Sequence, residues 1–304
     1  MTYHVPVMLK ESVDAMNIKP DGTYVDVTFG GGGHTREILS RLGENGRLFS
    51  FDQDEDARAN AEGIDHPGFT LVESNFRYLA RYLKLHGVRQ IDALLGDFGV
   101  SSHQFDVPER GFSTRFDAAL DMRMGLRVAK TAADVVNDYS EKELHRILGM
   151  YGELKNAKTV AAAIVSARMS EPIETVNGLK EAIGKFAPRG KENKFFAQVF
   201  QGLRIEVNDE MGALEDMLTQ CSQVIKPGGR LVAMSYHSLE DRLVKNFIAK
   251  GKFYGQVEKD FYGNMLRPFE PVTRKPIVAT TEEVEANSRA RSAKLRVAER
   301  TDLA

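Results

Sequence analysis

A run of four glycines and three aspartates hold most of the chemical possibilities of this chain. The run reads Thr28-Phe29-Gly30-Gly31-Gly32-Gly33-His34. Glycine carries no Cβ, so backbone built from it can pass close to a ligand. Asp26 stands just before the run, and Asp52 follows 26 residues after Asp26. In doubly wound sheets, an acid at the end of the second strand accepts hydrogen bonds from the ribose hydroxyls of an adenosine-containing ligand. Asp26 suits an acid beside a ligand's ammonium group, or a cap on the turn.

The third aspartate lies in Gly96-Asp97-Phe98-Gly99-Val100-Ser101-Ser102, at the end of a later apolar run. Chemistry in such sheets collects outside the carboxyl ends of the strands. An acid before a tight turn there suits methylation of an amino group. The exocyclic amine of a base is a poor nucleophile, because its lone pair is delocalised into the ring. An acceptor for its N–H groups draws the nitrogen towards sp3 and helps a proton leave. Asp97 is the candidate for that role, with turn capping as its structural alternative.

The ligand follows from the spacing of the glycines. A dinucleotide dehydrogenase favours Gly-x-Gly-x-x-Gly, with a helix start cradling a pyrophosphate. Four consecutive glycines followed by His34 fit that poorly. A methyltransferase needs close backbone passage beside S-adenosylmethionine and no phosphate cradle. Methyl transfer is therefore the leading expectation. A nicotinamide-dependent dehydrogenase and a non-catalytic RNA-binding assembly factor stay as alternatives.

The surrounding elements suit this reading. Tyr24–Gly30, Arg47–Asp52, Phe69–Asn75 and Ile91–Gly99 are apolar runs, and the first leads into helical spacing at Ile38, Leu39 and Leu42. Such alternation predicts βαβ units and a parallel sheet covered on both faces. From about Gly111 to Phe200 the pattern is helical, with a capping box at Ser140–Glu143. Alternation resumes with a helix near Asp209–Ile225, a turn at Lys226–Gly229 and a strand at Arg230–Tyr236. The expected fold is α/β: a doubly wound, Rossmann-like methyltransferase sheet with an inserted helical domain. Residues 1–110 and 201–304 form the first domain, and 111–200 the insertion.

Bulk properties narrow the setting. The 304 residues are 42% hydrophobic and 28% charged, with net charge -2, so a packed core is expected and any nucleic-acid contact must come from local patches. The single cysteine, Cys221, excludes an intramolecular disulfide and fits a reducing cytoplasm. Cys221 itself is expected on the inner face of a helix. Met1–Lys10 lacks the apolar region of a signal peptide, and no run of about 18 apolar residues suggests a membrane span. None of the seven histidines stands at metal-ligand spacing from another or from Cys221, so no metal is expected.

Several stretches together resemble the RsmH (MraW) family of bacterial small-subunit ribosomal RNA cytosine-N4 methyltransferases. They are His4–Met16, Asp21–Thr35, Gly96–Asp106, Glu109–Ser113, Leu120–Met124, Ser235–Lys245, Thr273–Ile277 and Arg289–Arg296. The resemblance implies that Gly32, Gly33 and His34 line S-adenosylmethionine, that Asp52 takes the ribose and that Phe76 packs near the adenine. Asp97 and Gln104 complete that pocket. It also implies that the acceptor is N4 of a cytidine in the decoding centre of 16S ribosomal RNA. The helical insertion would help hold the RNA, within the small subunit. A homodimer is left open.

The chain departs from the family pattern at two places. Gly96 and Phe98 stand where leucines are usual, which predicts a looser end of that strand and an added stacking surface. Gln198-Val199-Phe200-Gln201 replaces Arg-Thr-Phe-Gln, removing an arginine, although Arg204 follows one turn later.

Two basic clusters could contact phosphates. One comprises Lys185, Arg189, Lys191 and Lys194 beside Phe195 and Phe196. The other comprises Arg289, Arg291, Lys294, Arg296 and Arg300. Tyr236 and His237, at a strand end on the rim of Asp97, are candidates for contacting a flipped cytosine. His237 has a satisfied structural role as its alternative.

Overall fold

The computed structural model describes residues 6–125 and 127–302, so His4 and Val5 of the N-terminal matching stretch lie outside it. Two compact units emerge. One joins residues 1–99 to 211–304, and the other spans Val100–Glu210. The expected insertion, 111–200, lies inside the second.

The first unit holds one seven-stranded sheet: β1 (Thr23–Asp26), β2 (Arg47–Asp52), β3 (Phe69–Glu73), β4 (Ile91–Asp97), β5 (Ile225–Ser235), β6 (Phe269–Pro271) and β7 (Lys294–Arg300). The order is β3-β2-β1-β4-β5-β7-β6. Strands β1 to β5 run parallel, and β7 lies antiparallel between β5 and β6. The sheet is thus mixed. Successive crossovers reverse direction between β1 and β4, which opens a crevice at their carboxyl ends.

The apolar runs are continuous because both faces are covered. Val25, Phe49, Leu94 and Leu231 pack into one cluster with Leu83, Met217, Cys221 and Phe247 from the helices Leu79–Leu85, Glu210–Val224 and Ser238–Lys250. Their chain neighbours Tyr24, Leu48, Leu95 and Val232 point the other way. They pack with Val13, Ile38 and Leu39 from the helices Leu9–Ala15 and Gly33–Leu39. Burying each large side chain contributes roughly 1.5–3 kcal/mol, so the period-two alternation along each strand fixes its register. Cys221 is a buried helix residue, as its neighbours suggested.

The structure corrects three local expectations. The helix after the glycine turn spans Gly33–Leu39, so it starts ahead of the spacing at Ile38, Leu39 and Leu42 and ends before Leu42. Lys226–Gly229 does not separate a helix from a strand. It sits inside β5, where the pairing jumps from Ile91 opposite Ile225 to Ala93 opposite Arg230, so the turn bulges out of the ladder. Gly228, at φ +74, supplies the left-handed residue. Most of the C-terminal basic segment is β7: Leu295 and Val297 are buried while Lys294 is exposed.

The second unit is helical around its own core. The helices Ala132–Asp138, Glu141–Met150, Ala157–Arg168, Val176–Ile183 and Glu192–Asn208 contribute Val136, Ile147, Ile164, Leu179 and Leu203. Ser140 and Glu143 form the expected capping box. A second box, Thr131 with Asp134, starts the preceding helix. Buried Asn208 accepts from Met124 N and donates to Met122 O, both at 2.8 Å, which pins the Leu120–Met124 stretch.

Candidate active site

The glycine turn is built against both neighbouring strands. Val27 N donates to Leu95 O and Phe29 N to Phe51 O, each at 2.9 Å. The chain then turns through Gly30 (φ +52) and Gly32 (φ +76), where glycine avoids the Cβ penalty. Gly33 is required for another reason: a Cβ there would overlap the ring of Pro6. Together these residues seat His34, buried in the first turn of its helix.

Asp26 is the most enclosed of the three acids. It is fully buried, with Oδ1 accepting from Thr28 N (3.0 Å) and Oδ2 from Thr35 Oγ1 (2.8 Å). Thr35 Oγ1 also meets Ser50 Oγ at 2.7 Å. The side chain therefore ties the turn together. This corrects the idea that it faces a ligand's ammonium group and supports its capping alternative.

Asp52 also braces the turn. Oδ2 accepts from Gly30 N at 2.8 Å, and Oδ1 accepts from Asp54 N at 2.9 Å. Each oxygen retains a second lone pair, and the residue is only partly covered, so hydroxyl donors can still be taken. Burial raises the carboxyls of Asp26, Asp52 and Asp97 to about 6.

Asp97 has the most telling surroundings. Its N–H donates to Thr28 Oγ1 at 2.7 Å, fixing the end of β4 to the glycine turn. The Tyr236 hydroxyl lies beside its carboxylate, and Oδ1 is buried with no partner. Beside it, His34 faces the Val7 carbonyl, and its Nε2 is buried without a partner. Burial pushes the imidazole below its ordinary value, against the opposing pull of Asp97 and Val7. For Asp97, burial is likewise the main cause, opposed by His34 and Tyr236 and reinforced by Asp26 and Glu240. Two buried polar atoms without partners thus belong to groups close enough to feel each other's charge. Such atoms ordinarily find partners.

Tyr236 and His237 leave β5 at the same rim. Tyr236 is half-buried, with its hydroxyl beside Asp97. His237 is the N-cap of the helix Ser238–Lys250, in a capping box with Glu240. Its Nε2 lies 3.1 Å from Glu240 Oε1 without hydrogen-bond alignment. His237 thus has a structural role as a helix cap, with one ring nitrogen left unsatisfied. Glu240 is the residue that sequence reasoning missed. It is buried, and its Oε2 accepts from Tyr236 N (3.0 Å) and His237 N (3.4 Å). The signal was available: an acid three residues after a capping residue.

Phe76 is half-buried and meets Phe98 edge to face at 5.9 Å. Phe98 is only 4% exposed, so it adds no free stacking surface. Gly96 does not loosen β4, because it pairs with Ala233 in regular register. Gln104 belongs to the second unit, where its Oε1 accepts from Ser101 N in a capping box.

The basic clusters fare differently. Lys185, Arg189, Lys191 and Lys194 are all exposed. Phe195 is core, and Phe196 packs against it at 5.5 Å. Arg204 is paired with Glu210 at 2.8 Å and largely covered. In the C-terminal cluster, Arg296 and Lys294 pair with Asp241, and Arg300 donates to the carbonyls of Ser222, Pro268 and Thr301. Arg291 is exposed and Arg289 partly so, on the short helix Ser288–Ser292.

A family model described as the MraW methylase family matches residues 1–301. The chain belongs to the MraW methylase family. A Cytophaga hutchinsonii protein named ribosomal RNA small subunit methyltransferase H is 61% identical over 98% of this chain and 99% of its own. Proteins of the same name are 58% identical in Bacteroides thetaiotaomicron, over 99% and 98%, and 56% identical in Flavobacterium johnsoniae, over the same shares. A solved putative rRNA-methylase from Clostridium thermocellum aligns over 98% of this chain and 100% of its own, at 14% identity and TM-score 0.45. Membership of a methylase family makes this chain a methyltransferase and sets the dehydrogenase alternative aside. No helix among the described residues is long and apolar enough to cross a membrane.

Proposed function

We propose that this chain methylates the exocyclic N4 of a cytidine in the decoding centre of 16S ribosomal RNA, using S-adenosylmethionine, in the cytoplasm. The observation that carries the reading is the pair of unpartnered buried polar atoms, Asp97 Oδ1 and His34 Nε2. They stand where β1 and β4 diverge, and they call for a ligand rich in N–H donors. The ammonium end of the cofactor and the amine of cytosine are both such groups. The relatives' shared name supports ribosomal RNA of the small subunit as substrate.

The residues present fit the cofactor. Gly32 and Gly33 allow close backbone passage, Asp52 has lone pairs for ribose hydroxyls, and Phe76 offers a half-exposed ring for the adenine. His34 presents its free nitrogen to the same place. Gln104 carries its assignment from the family resemblance alone. When bound, S-adenosylmethionine supplies an electrophilic methyl group.

Asp97 does the acid–base work. With its carboxyl at about 6, it is mostly ionised at neutral pH and accepts from the substrate amine. That interaction localises the lone pair on nitrogen. As nitrogen gains the methyl group it gives up one proton, which Asp97 receives. Tyr236, His237, Arg289 and Arg291 stay assigned to the RNA side. The exposed cluster from Lys185 to Lys194 gives residues 111–200 a role in RNA recognition.

The direct test is labelled methyl transfer to small subunits lacking the modification, followed by nucleoside analysis. Label in N4-methylcytidine is expected. Absence of label there, with folded protein, overturns the reading.

A further inference from the structure

The N-terminal part of the chain touches the glycine turn through Pro6, whose ring lies where a Cβ on Gly33 would stand. Val7 and Met8 follow, and both are buried. Met8 is the N-cap of the helix Leu9–Ala15, at φ +46 and ψ +42. A residue with a side chain keeps that left-handed conformation only where its surroundings fix it. The fixing group comes from the other end of the chain. Met8 N donates to Glu283 Oε1 at 2.6 Å, across 275 positions. Glu283 is half-buried in the short helix Thr281–Ala286, and its own N–H donates to the capping hydroxyl of Thr280 at 3.2 Å. Val284, the next residue, packs against the cluster that holds Val7, Met8 and Val13.

We infer that Glu283 is a positioning residue for the cofactor: its carboxylate fastens Met8 and so holds the Pro6 ring against Gly33. The inference rests on the reading of Gly33 and His34 as lining S-adenosylmethionine. Gly33 opens the helix that carries His34, so pressure on the glycine bears on the histidine too. Only Val7 lies between Pro6 and Met8. A fixed Met8 amide therefore leaves the proline little room to move, and its ring fixes its own φ. A hydrogen bond to a carboxylate is about twice as strong as one between neutral groups. Met8 is 1% exposed, so removing the carboxylate strands a buried N–H. The left-handed backbone then loses its anchor, and the glycine turn loses one wall. The C-terminal part of the chain thus braces a turn made near its start.

The test compares Glu283→Ala, which removes the acceptor, with Glu283→Gln, which keeps an oxygen there, both in the full chain. The readouts are deuterium uptake of the peptide containing Met8, S-adenosylmethionine affinity by calorimetry, kcat and cofactor KM on unmodified small subunits, and thermal melting. The alanine variant is expected to bind the cofactor about 10-fold more weakly, the size set by losing one bond to a charged group. Its Met8 peptide exchanges faster, and its cofactor KM rises with a smaller change in kcat. Glutamine restores most of the affinity and the slow exchange. A merely structural glutamate would lower the melting temperature of the alanine variant and leave cofactor affinity in place, which overturns the inference. Equal affinity losses with alanine and glutamine also overturn it, because the Met8 bond is then not the cause. If the alanine variant does not fold, Pro6→Ala trims the other end of the same contact, and wild-type affinity there counts equally against it. The wild-type protein separates the two readings. Failure of wild type to bind S-adenosylmethionine sinks the cofactor site itself. Equal binding by wild type and both Glu283 variants sinks only the role of Glu283.

Discussion

The ring of Phe98 fills the space that a side chain at Gly96 would occupy. A Cβ on Gly96 would come within 2.5 Å of Phe98 Cζ and 3.0 Å of Val27 Cγ2. Gly96 and Phe98 therefore form one compensated exchange: a residue without a side chain beside one with a large ring. Overpacking a tight core costs about 1–3 kcal/mol, and trimming a buried aromatic costs a comparable amount through the cavity left behind. Gly96→Leu and Phe98→Leu should each destabilise the protein. The double variant restores the two leucines usual in the family and should lose less than the sum, with a coupling of roughly 0.5–3 kcal/mol. Denaturant unfolding of the four proteins checks this. Strict additivity would show that the ring and the glycine are unrelated.

Asp97 should also leave a mark on stability. Its folded carboxyl is raised from 3.8 to about 6, mainly by burial. The native state therefore binds more protons than the unfolded chain between those values, and stability falls as pH rises through them. Asp26 and Asp52 act in the same direction. Removing the charge at position 97 should recover the loss. Asp97→Asn is expected to stabilise the ligand-free protein by on the order of 1–3 kcal/mol above pH 7 and by little near pH 4. The same variant should lose methyl transfer by at least about 100-fold, with a much smaller loss of cofactor affinity. Melting curves at the two pH values, single-turnover rates and calorimetry test the three parts separately.

The sequence made the site's skeleton legible, and the reasons lie in particular residues. β2 is covered on both faces, so its apolar run Arg47–Asp52 ends where the strand ends. The acids at strand ends marked the crevice because β1 to β4 are parallel and short. β7 was hidden because Lys294 and Arg296 alternate with Leu295 and Val297, and the charges masked the period-two pattern. Arg296 looked like an RNA contact for the same reason, although it reaches back to Asp241. Asp26 and Asp52 resembled each other in sequence. Only three dimensions show that Thr28 and Thr35 enclose the first, while the second stays partly exposed with lone pairs to spare. Glu240 was overlooked although its signal is local: it accepts from Tyr236 N and shares a capping box with His237.

Gly33 offers a sharper test of the turn than the glycines at positive φ. A Cβ at Gly33 meets the ring of Pro6, which cannot swing aside as the end of a flexible chain could. Either the N-terminal segment or the start of the helix Gly33–Leu39 must move. His34 is the next residue, so its free nitrogen moves with it. Gly33→Ala should weaken S-adenosylmethionine binding by about 10-fold or more while costing only about 1–3 kcal/mol of stability. Calorimetry and melting on the same preparation compare the two losses. Wild-type affinity would mean that the turn does not set the ligand's position.

The exposed cluster of the second unit predicts a salt signature. Lys185, Arg189, Lys191 and Lys194 are free to release counterions on meeting a phosphate chain. Removing one cation that neutralises a phosphate should flatten the slope of log affinity against log salt by about 0.7–0.9. Replacing all four with glutamine should therefore weaken RNA binding most at low salt and flatten that slope, while melting stays unchanged. Arg296→Ala is the contrasting variant. It breaks a 2.7 Å pair and leaves the buried Asp241 only its longer pair with Lys294, at 3.4 Å. Its expected effect is a stability loss of about 1–3 kcal/mol with the salt slope intact. Filter binding across salt concentrations, beside thermal melting, separates the two clusters. A steep slope that survives replacement of all four exposed cations would move the RNA-binding face elsewhere.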